Sequence, residues 1–225
     1  MPLPILQTFH LNKFYHKPVE FQALKDITLE IHEGEFIAIV GPSGSGKSTL
    51  LYVLSTMDTD YTGEIYFAGE LLKNKSARDL AQLRNEHIGF VFQFHYLLPE
   101  FTVLENVMLP ALKLNHSLKQ EIEKEALNIL EMLNLSGIAY KKANQLSGGQ
   151  QQRVAIARAL INKPKIIMGD EPTGNLDSKN ATLVYQIFRE LNQKQGQTFL
   201  IVTHDNHFAA QADKIITLKD GCIIN

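Results

Sequence analysis

The run Val40-Gly41-Pro42-Ser43-Gly44-Ser45-Gly46-Lys47-Ser48-Thr49 decides how the rest of the chain is read. It follows an apolar stretch, Glu35 to Val40, and opens a helical pattern at Leu50, which predicts a strand, a glycine-rich loop and a helix in that order. Its spacing is G-x-x-x-x-G-K-[ST] throughout, the pattern of a phosphate-binding loop. Glycines at 41, 44 and 46 let the backbone curl until successive N–H groups face one anion. The helix that follows adds roughly half a positive charge at its N-terminus. Lys47 is then placed to reach the β- and γ-phosphates of a nucleotide, and the Ser48 hydroxyl to complete a Mg²⁺ shell. Ser43, Ser45 and Thr49 are counted in the same cradle.

Further on, Ile166-Ile167-Met168-Gly169-Asp170-Glu171 reads as a buried strand ending in two carboxylates. Asp170, at the strand's carboxyl end, is predicted to hold Mg²⁺ directly or through water. Glu171 points differently and is the candidate general base for an attacking water. Together the two motifs predict an NTPase and nothing narrower.

Other apolar runs fill in the sheet. Asp26 to Ile31 and Glu35 to Val40, on either side of Glu33-Gly34, are predicted to pair as a hairpin. Further strands are expected at Gly63 to Ala68, Ile88 to Phe92, Lys165 to Met168, Thr198 to Thr203, Lys214 to Leu218 and Cys222 to Ile224. The later ones alternate with helical patterns, which predicts a parallel α/β sheet, and the early hairpins predict an antiparallel β edge. Leu104 to Leu114, Lys119 to Leu133 and Gln151 to Leu160 have helical spacing with no strand between them. The expected fold is an α/β P-loop NTPase in one domain over 1–225. Its α/β core takes about 1–93 and 147–225, and an inserted helical sub-lobe about 94–146.

Leu146-Ser147-Gly148-Gly149-Gln150 is followed by Gln151-Gln152-Arg153 and an apolar-periodic helix. A serine and two glycines at a helix start make a second anion site in the same chain. One nucleotide needs one such site. The economical explanation is that Ser147, Gly148, Gly149 and Gln150 face the γ-phosphate of an ATP held by another copy, in an ATP-dependent head-to-tail homodimer with two shared sites.

With these residues in place the sequence resembles the ATP-binding cassette (ABC) family, whose signature reads LSGGQ, and the resemblance covers almost the whole chain. It implies that Gln93 is a Q-loop glutamine touching Mg²⁺ or the water, and that Asn175-Leu176-Asp177 is a D-loop at the dimer seam. It also implies that His204, closing the strand Phe199 to Thr203, holds the γ-phosphate, and that Tyr15 stacks on adenine, with Phe14 as the competing stacker. One departure is Gly169, where the family usually carries a bulkier residue. The implied mechanism is that ATP at shared sites closes the pair and hydrolysis opens it.

Composition bounds the partners. The 225 residues are 44% hydrophobic and 20% charged, as expected of a soluble globular chain, and the formal charge of −2 lacks the basic excess that points to nucleic acid. Cys222 stands alone, so no internal disulfide is possible, a reducing compartment is expected, and its apolar setting predicts a buried, inert thiol. No window has the roughly 18–20 apolar residues that would span a bilayer, and Met1-Pro2-Leu3-Pro4-Ile5-Leu6 lacks the basic start of a secretory signal. Any membrane role is therefore expected to come through integral membrane partners, with the protein peripheral on the cytoplasmic face. The aromatic run Phe90 to Phe101 around Gln93 is the expected docking surface.

The stretch Phe92 to Thr102, with Leu104-Glu105-Asn106-Val107 and Asp170 to Asp177, resembles the ATPase subunits of lipoprotein-releasing transporters. Macrolide/peptide-export and cell-division cassettes share much of it. The implied role is driving lipoprotein release from the inner membrane. A soluble ABC ATPase acting on nucleic acid or ribosomes is the alternative of a different class.

Overall fold

The computed structural model describes residues 4–16, 18–114 and 116–224. Met1-Pro2-Leu3, part of the stretch considered for a secretory signal, therefore lies outside the described residues. The chain opens with β1 (Leu6–Tyr15), β2 (Phe21–Ile31) and β3 (Phe36–Val40), then α1 (Lys47–Leu54), β4 (Thr62–Phe67), β5 (Glu70–Leu71), α2 (Ala77–His87) and β6 (Ile88–Phe92). Three helices follow: α3 (Val103–Leu114), α4 (Lys119–Met132) and α5 (Gly148–Leu160). The chain closes with β7 (Ile166–Asp170), α6 (Ser178–Gln195), β8 (Thr198–Val202), α7 (Asn206–Ala209), β9 (Lys214–Lys219) and β10 (Cys222–Ile223).

Two sheets result. One is antiparallel, in the order β2-β1-β4-β5; the other runs β10-β9-β3-β8-β7-β6, parallel except for the antiparallel β10. The expected hairpin between Asp26–Ile31 and Glu35–Val40 does not form. Instead β2 pairs with β1, and β3 lies between β8 and β9. The reason is burial: Phe36 to Ile39 is apolar at every position and covered on both faces, as a central parallel strand must be. Glu33-Gly34 is the step from one sheet to the other, secured by hydrogen bonds of Gly34 N–H to Thr198 Oγ1 and of Asn192 Nδ2 to the Gly34 carbonyl.

The period-two alternation of the parallel strands splits the core. Phe36, Ile167, Phe199 and Ile201 face the side covered by α3, α4, α5 and α6. Ile37, Ile39, Met168, Leu200 and Val202 face the side covered by α1, α2 and the antiparallel sheet. Gly169 is filled from next door, because a Cβ there would stand 2.8 Å from Ile201 Cδ1. Cys222 is a free thiol, half-buried rather than buried as expected, because it sits on the edge strand β10. Among the described residues no helix is long and apolar enough to cross a membrane.

Candidate functional site

The parallel strands β3, β7 and β8 end at the same edge of the sheet, and their trailing loops build the site. β3 delivers the glycine loop. Gly46 has φ +102, and a Cβ on it would meet the Ala23 carbonyl at 2.6 Å, so glycine is required there for both conformation and space. Gly46 is also the residue before α1, and it supplies no side-chain cap. Lys47 folds back over the loop, its Nζ donating to the carbonyls of Gly41 (2.8 Å) and Pro42 (3.0 Å). The Ser45 hydroxyl is buried beside Gly41, so the Ser45 side chain faces the interior rather than the cradle.

β7 ends in Asp170, whose two oxygens are both engaged by α1. Ser48 Oγ donates to Oδ1 at 3.0 Å and the Tyr52 hydroxyl to Oδ2 at 2.8 Å. Burial, and next the bond to Asp170, push the Tyr52 phenol up to about 12, which keeps it a donor. Glu171 follows with φ +48, a left-handed conformation unusual for a side chain of this size and typical of functional positions. Its N–H is tied to the Val202 carbonyl, and its Oε2 stands 2.8 Å from His204 Nδ1 and accepts the His204 N–H at 3.3 Å. Beside them Gln93 Nε2 donates to Asn175 Oδ1 (3.3 Å), while Asn175 Nδ2 donates back to the Gln93 carbonyl (3.2 Å). Lys47 and Ser48 in the first turn of α1, Asp170 as the last residue of β7, and Glu171, Gln93 and His204 just after β7, β6 and β8 thus gather at one edge of four adjacent strands.

Tyr15 reaches the same region from β1. Its hydroxyl lies 3.4 Å from Thr49 Oγ1, and its exposed ring stacks on Phe21 with centroids 6.2 Å apart. Lys13 supports it from below, Nζ 4.9 Å from the ring centroid. Burial pulls the Lys13 ammonium down, but hydrogen bonds with Asp58 and Asp60 more than offset it and leave the lysine raised.

Ser147, Gly148, Gly149 and Gln150 are elsewhere. Among the described residues no hydrogen bond or ion pair joins them to the glycine loop of their own chain. Ser147 caps α5 in a reciprocal box with Gln150: Ser147 N–H donates to Gln150 Oε1 (3.0 Å) and Gln150 N–H to Ser147 Oγ (3.4 Å). Gly149 is pressed against Asn180, where a Cβ would come within 2.2 Å of Oδ1. Asp177, grouped with the nucleotide residues by the sequence, caps α6. The Asn180 N–H, then the Asn180 side chain, hold its carboxyl below the usual carboxylate range.

Four residues escaped the sequence reading. Tyr52 lies one helical turn after Ser48, a spacing that alone puts both on one face of α1. Asn180 is the helix residue that packs on Gly149. Gln152 is fully buried and donates to the carbonyls of Pro172 and Phe92, and its place among apolar neighbours of α5 was the available signal. Arg158, also on α5, donates to the carbonyls of Tyr96 and His95, both at 2.7 Å.

With this geometry in hand, comparison with known proteins is direct. Residues 24–174 match the ABC transporter family. The chain belongs to that family. Its fold and motifs are those of an ATP-binding cassette, and its enzymatic class is that of an ATPase. The cassette is 46% identical to the lipoprotein-releasing system ATP-binding protein LolD 1 of Chlorobium chlorochromatii over 98% of this chain and 91% of that one. It is 51% identical to LolD of Bacteroides fragilis over 90% and 94% of the two chains. Among solved structures it superimposes on the dimeric ABC transporter cassette MJ0796 with TM-score 0.90 at 43% identity, covering 98% and 97%. The same neighbour in a dimeric post-hydrolysis state bound to ADP and Pi gives 0.89.

Proposed function

We propose that this cassette is the ATP-hydrolysing subunit of a transporter that releases lipoproteins from the inner membrane, working at the cytoplasmic face with integral membrane subunits. One juxtaposition carries the chemistry: Glu171, 2.8 Å from His204, stands next in sequence to an Asp170 that Ser48 already touches at 3.0 Å. The substrate assignment is supported by the LolD relatives, which align over nearly the full chain.

The residues suit Mg²⁺. A hydroxyl and a carboxylate meet at the end of β7, and among the described residues no group of three or more His, Cys, Asp or Glu could hold a metal alone. Mg²⁺ is commonly bound this sparsely, with substrate phosphates completing the shell. Ser48, Asp170 and Gln93 are its proposed protein contacts; when bound it neutralises charge on the β- and γ-oxygens. Gly41, Ser43, Gly44, Ser45, Gly46, Lys47, Ser48 and Thr49 receive the phosphates, the buried Ser45 through its backbone. Tyr15 stacks on adenine, a contact worth roughly 1–3 kcal/mol. Glu171 takes the proton of the attacking water, and His204 orients Glu171 and holds the γ-phosphate.

Ser147, Gly148, Gly149, Gln150 and Asp177 act in a second copy, arranged head to tail. The exposure of Ser147 and Gly148 and the dimeric state of the MJ0796 neighbour support this. The α/β core (about 1–93 and 147–225) then holds both the nucleotide and the signature at the start of α5, and the helical sub-lobe (about 94–146) packs against α5 and backs the signature toward the partner. Phe94 and Tyr96, both exposed, offer the membrane subunits an apolar docking surface.

The test is Glu171→Gln. It keeps ATP binding, lowers turnover by about 10²–10⁴-fold, and yields an ATP-stabilised dimer on size-exclusion chromatography. A variant that stays monomeric with saturating ATP rules out the shared sites; one that turns over normally rules out Glu171 as the base.

A further inference from the structure

Both oxygens of Asp170 are held by one helix. Ser48 and Tyr52 are four residues apart on α1, so their side chains stack on one face, and they approach Oδ1 at 3.0 Å and Oδ2 at 2.8 Å. An ionised carboxylate only accepts, so both hydroxyls donate. The two bonds are not equivalent. Ser48 belongs to the phosphate loop and is itself a proposed cation contact, so its bond to Oδ1 is exchangeable. Tyr52 belongs to no nucleotide motif, so its bond to Oδ2 competes with no proposed cation contact.

Tyr52 is built to stay where it is. Its carbonyl accepts three hydrogen bonds: from Ser55 Oγ at 3.1 Å, Met57 N–H at 2.9 Å and Asp58 N–H at 3.1 Å. Its ring packs on Phe90 of β6 with centroids 6.2 Å apart, and β6 is the strand paired with β7. The phenol is thus fixed from the backbone and from the ring.

We infer that Tyr52 is a positioning residue for Asp170, pinning Oδ2 so that Oδ1, on the Ser48 side, is the oxygen presented to the divalent cation. The inference rests on the reading that Asp170 contacts that cation. A group that orients a metal-binding carboxylate typically changes metal affinity by 10- to 100-fold when removed. Losing the phenol hydroxyl alone, with the ring retained, belongs at the lower end.

The experiment uses the full chain, Mn²⁺ as the probe and ADP as the nucleotide, with bound Mn²⁺ counted from the loss of the free-ion electron paramagnetic resonance signal. In Tyr52→Phe the Mn²⁺ concentration at half-saturation rises about tenfold, while ADP affinity in EDTA stays within about twofold of the parent. Asp170→Asn, run in parallel, abolishes ADP-dependent Mn²⁺ binding. An unchanged Mn²⁺ affinity in Tyr52→Phe, with Asp170→Asn impaired, overturns the positioning role and leaves the Asp170 reading intact. Equal losses of Mn²⁺ and EDTA-phase ADP affinity in Tyr52→Phe also overturn it, because the tyrosine would then be merely structural. Normal Mn²⁺ binding in Asp170→Asn removes the reading and the inference together.

Discussion

Two helices of this cassette start at glycine-rich turns, and they start differently. α1 follows Gly46, a left-handed residue with no side chain to cap with, and its first turn holds no acidic residue. α5 follows Ser147, which closes a reciprocal box with Gln150. The first N–H groups of any helix have no partner within it. At α5 the chain supplies a partner for one of these groups, the Gln150 N–H, through the Ser147 hydroxyl, so the helix start carries its own cap. At α1 the donors and the helix dipole are left for an outside anion, which does the work of a cap. The phosphate loop is therefore uncapped by construction, whereas the signature begins its helix already capped by its own serine.

Substitutions at the two starts break or sharpen this contrast. The largest effect is expected at Gly46→Ala, where positive φ and the Ala23 carbonyl at 2.6 Å both resist a Cβ. Denaturant unfolding should show a loss of about 2 kcal/mol, with nucleotide affinity falling too. An unaffected midpoint would mean that the loop start is not constrained. Ser147→Ala removes a cap and should cost about 1 kcal/mol, seen as a melting temperature lower by about 3 °C. A drop in ATP-induced dimerisation larger than that loss explains assigns the serine a second role between copies. Smallest is Gly148→Ala. A Cβ there meets nothing within 4 Å, and the position is helical, so stability should rise by about 0.5 kcal/mol. Loss of ATP-dependent dimerisation in that more stable protein would locate the partner's triphosphate against this glycine.

What was legible in the sequence follows the range of the interactions. Gly41 to Thr49 is a local motif, and its strand, loop and helix appear where the spacing puts them. The apolar runs at Ile88 to Phe92 and Thr198 to Thr203 are legible from sequence, and strands form at Ile88–Phe92 and Thr198–Val202. β1 was not read as a strand because its pattern is broken. Its pairing with β2 shifts register between Thr8 and Leu11, and two of its buried residues are polar, Thr8 and Lys13. Thr8 is accommodated by giving its hydroxyl to the Ile27 carbonyl and accepting the Leu29 N–H, partners far away in sequence. The hairpin was misread because Glu33-Gly34 is good turn chemistry whichever sheet the next strand joins. At the site, roles tied to motif spacing were visible, but Gln152 and Arg158 were not, since what they hold is backbone 20 to 63 residues away.

Those last two residues give α5 a mechanical property. It is thirteen residues long, about 20 Å at 1.5 Å per residue. Its leading end is the signature, and further along it Gln152 grips the Phe92 carbonyl and Arg158 those of His95 and Tyr96. These bonds tie the helix that begins at the signature directly to the aromatic segment around Gln93. On the proposed head-to-tail arrangement the helix is a connecting rod, with a neighbouring molecule's nucleotide at one bearing and the proposed docking surface for membrane subunits at the other.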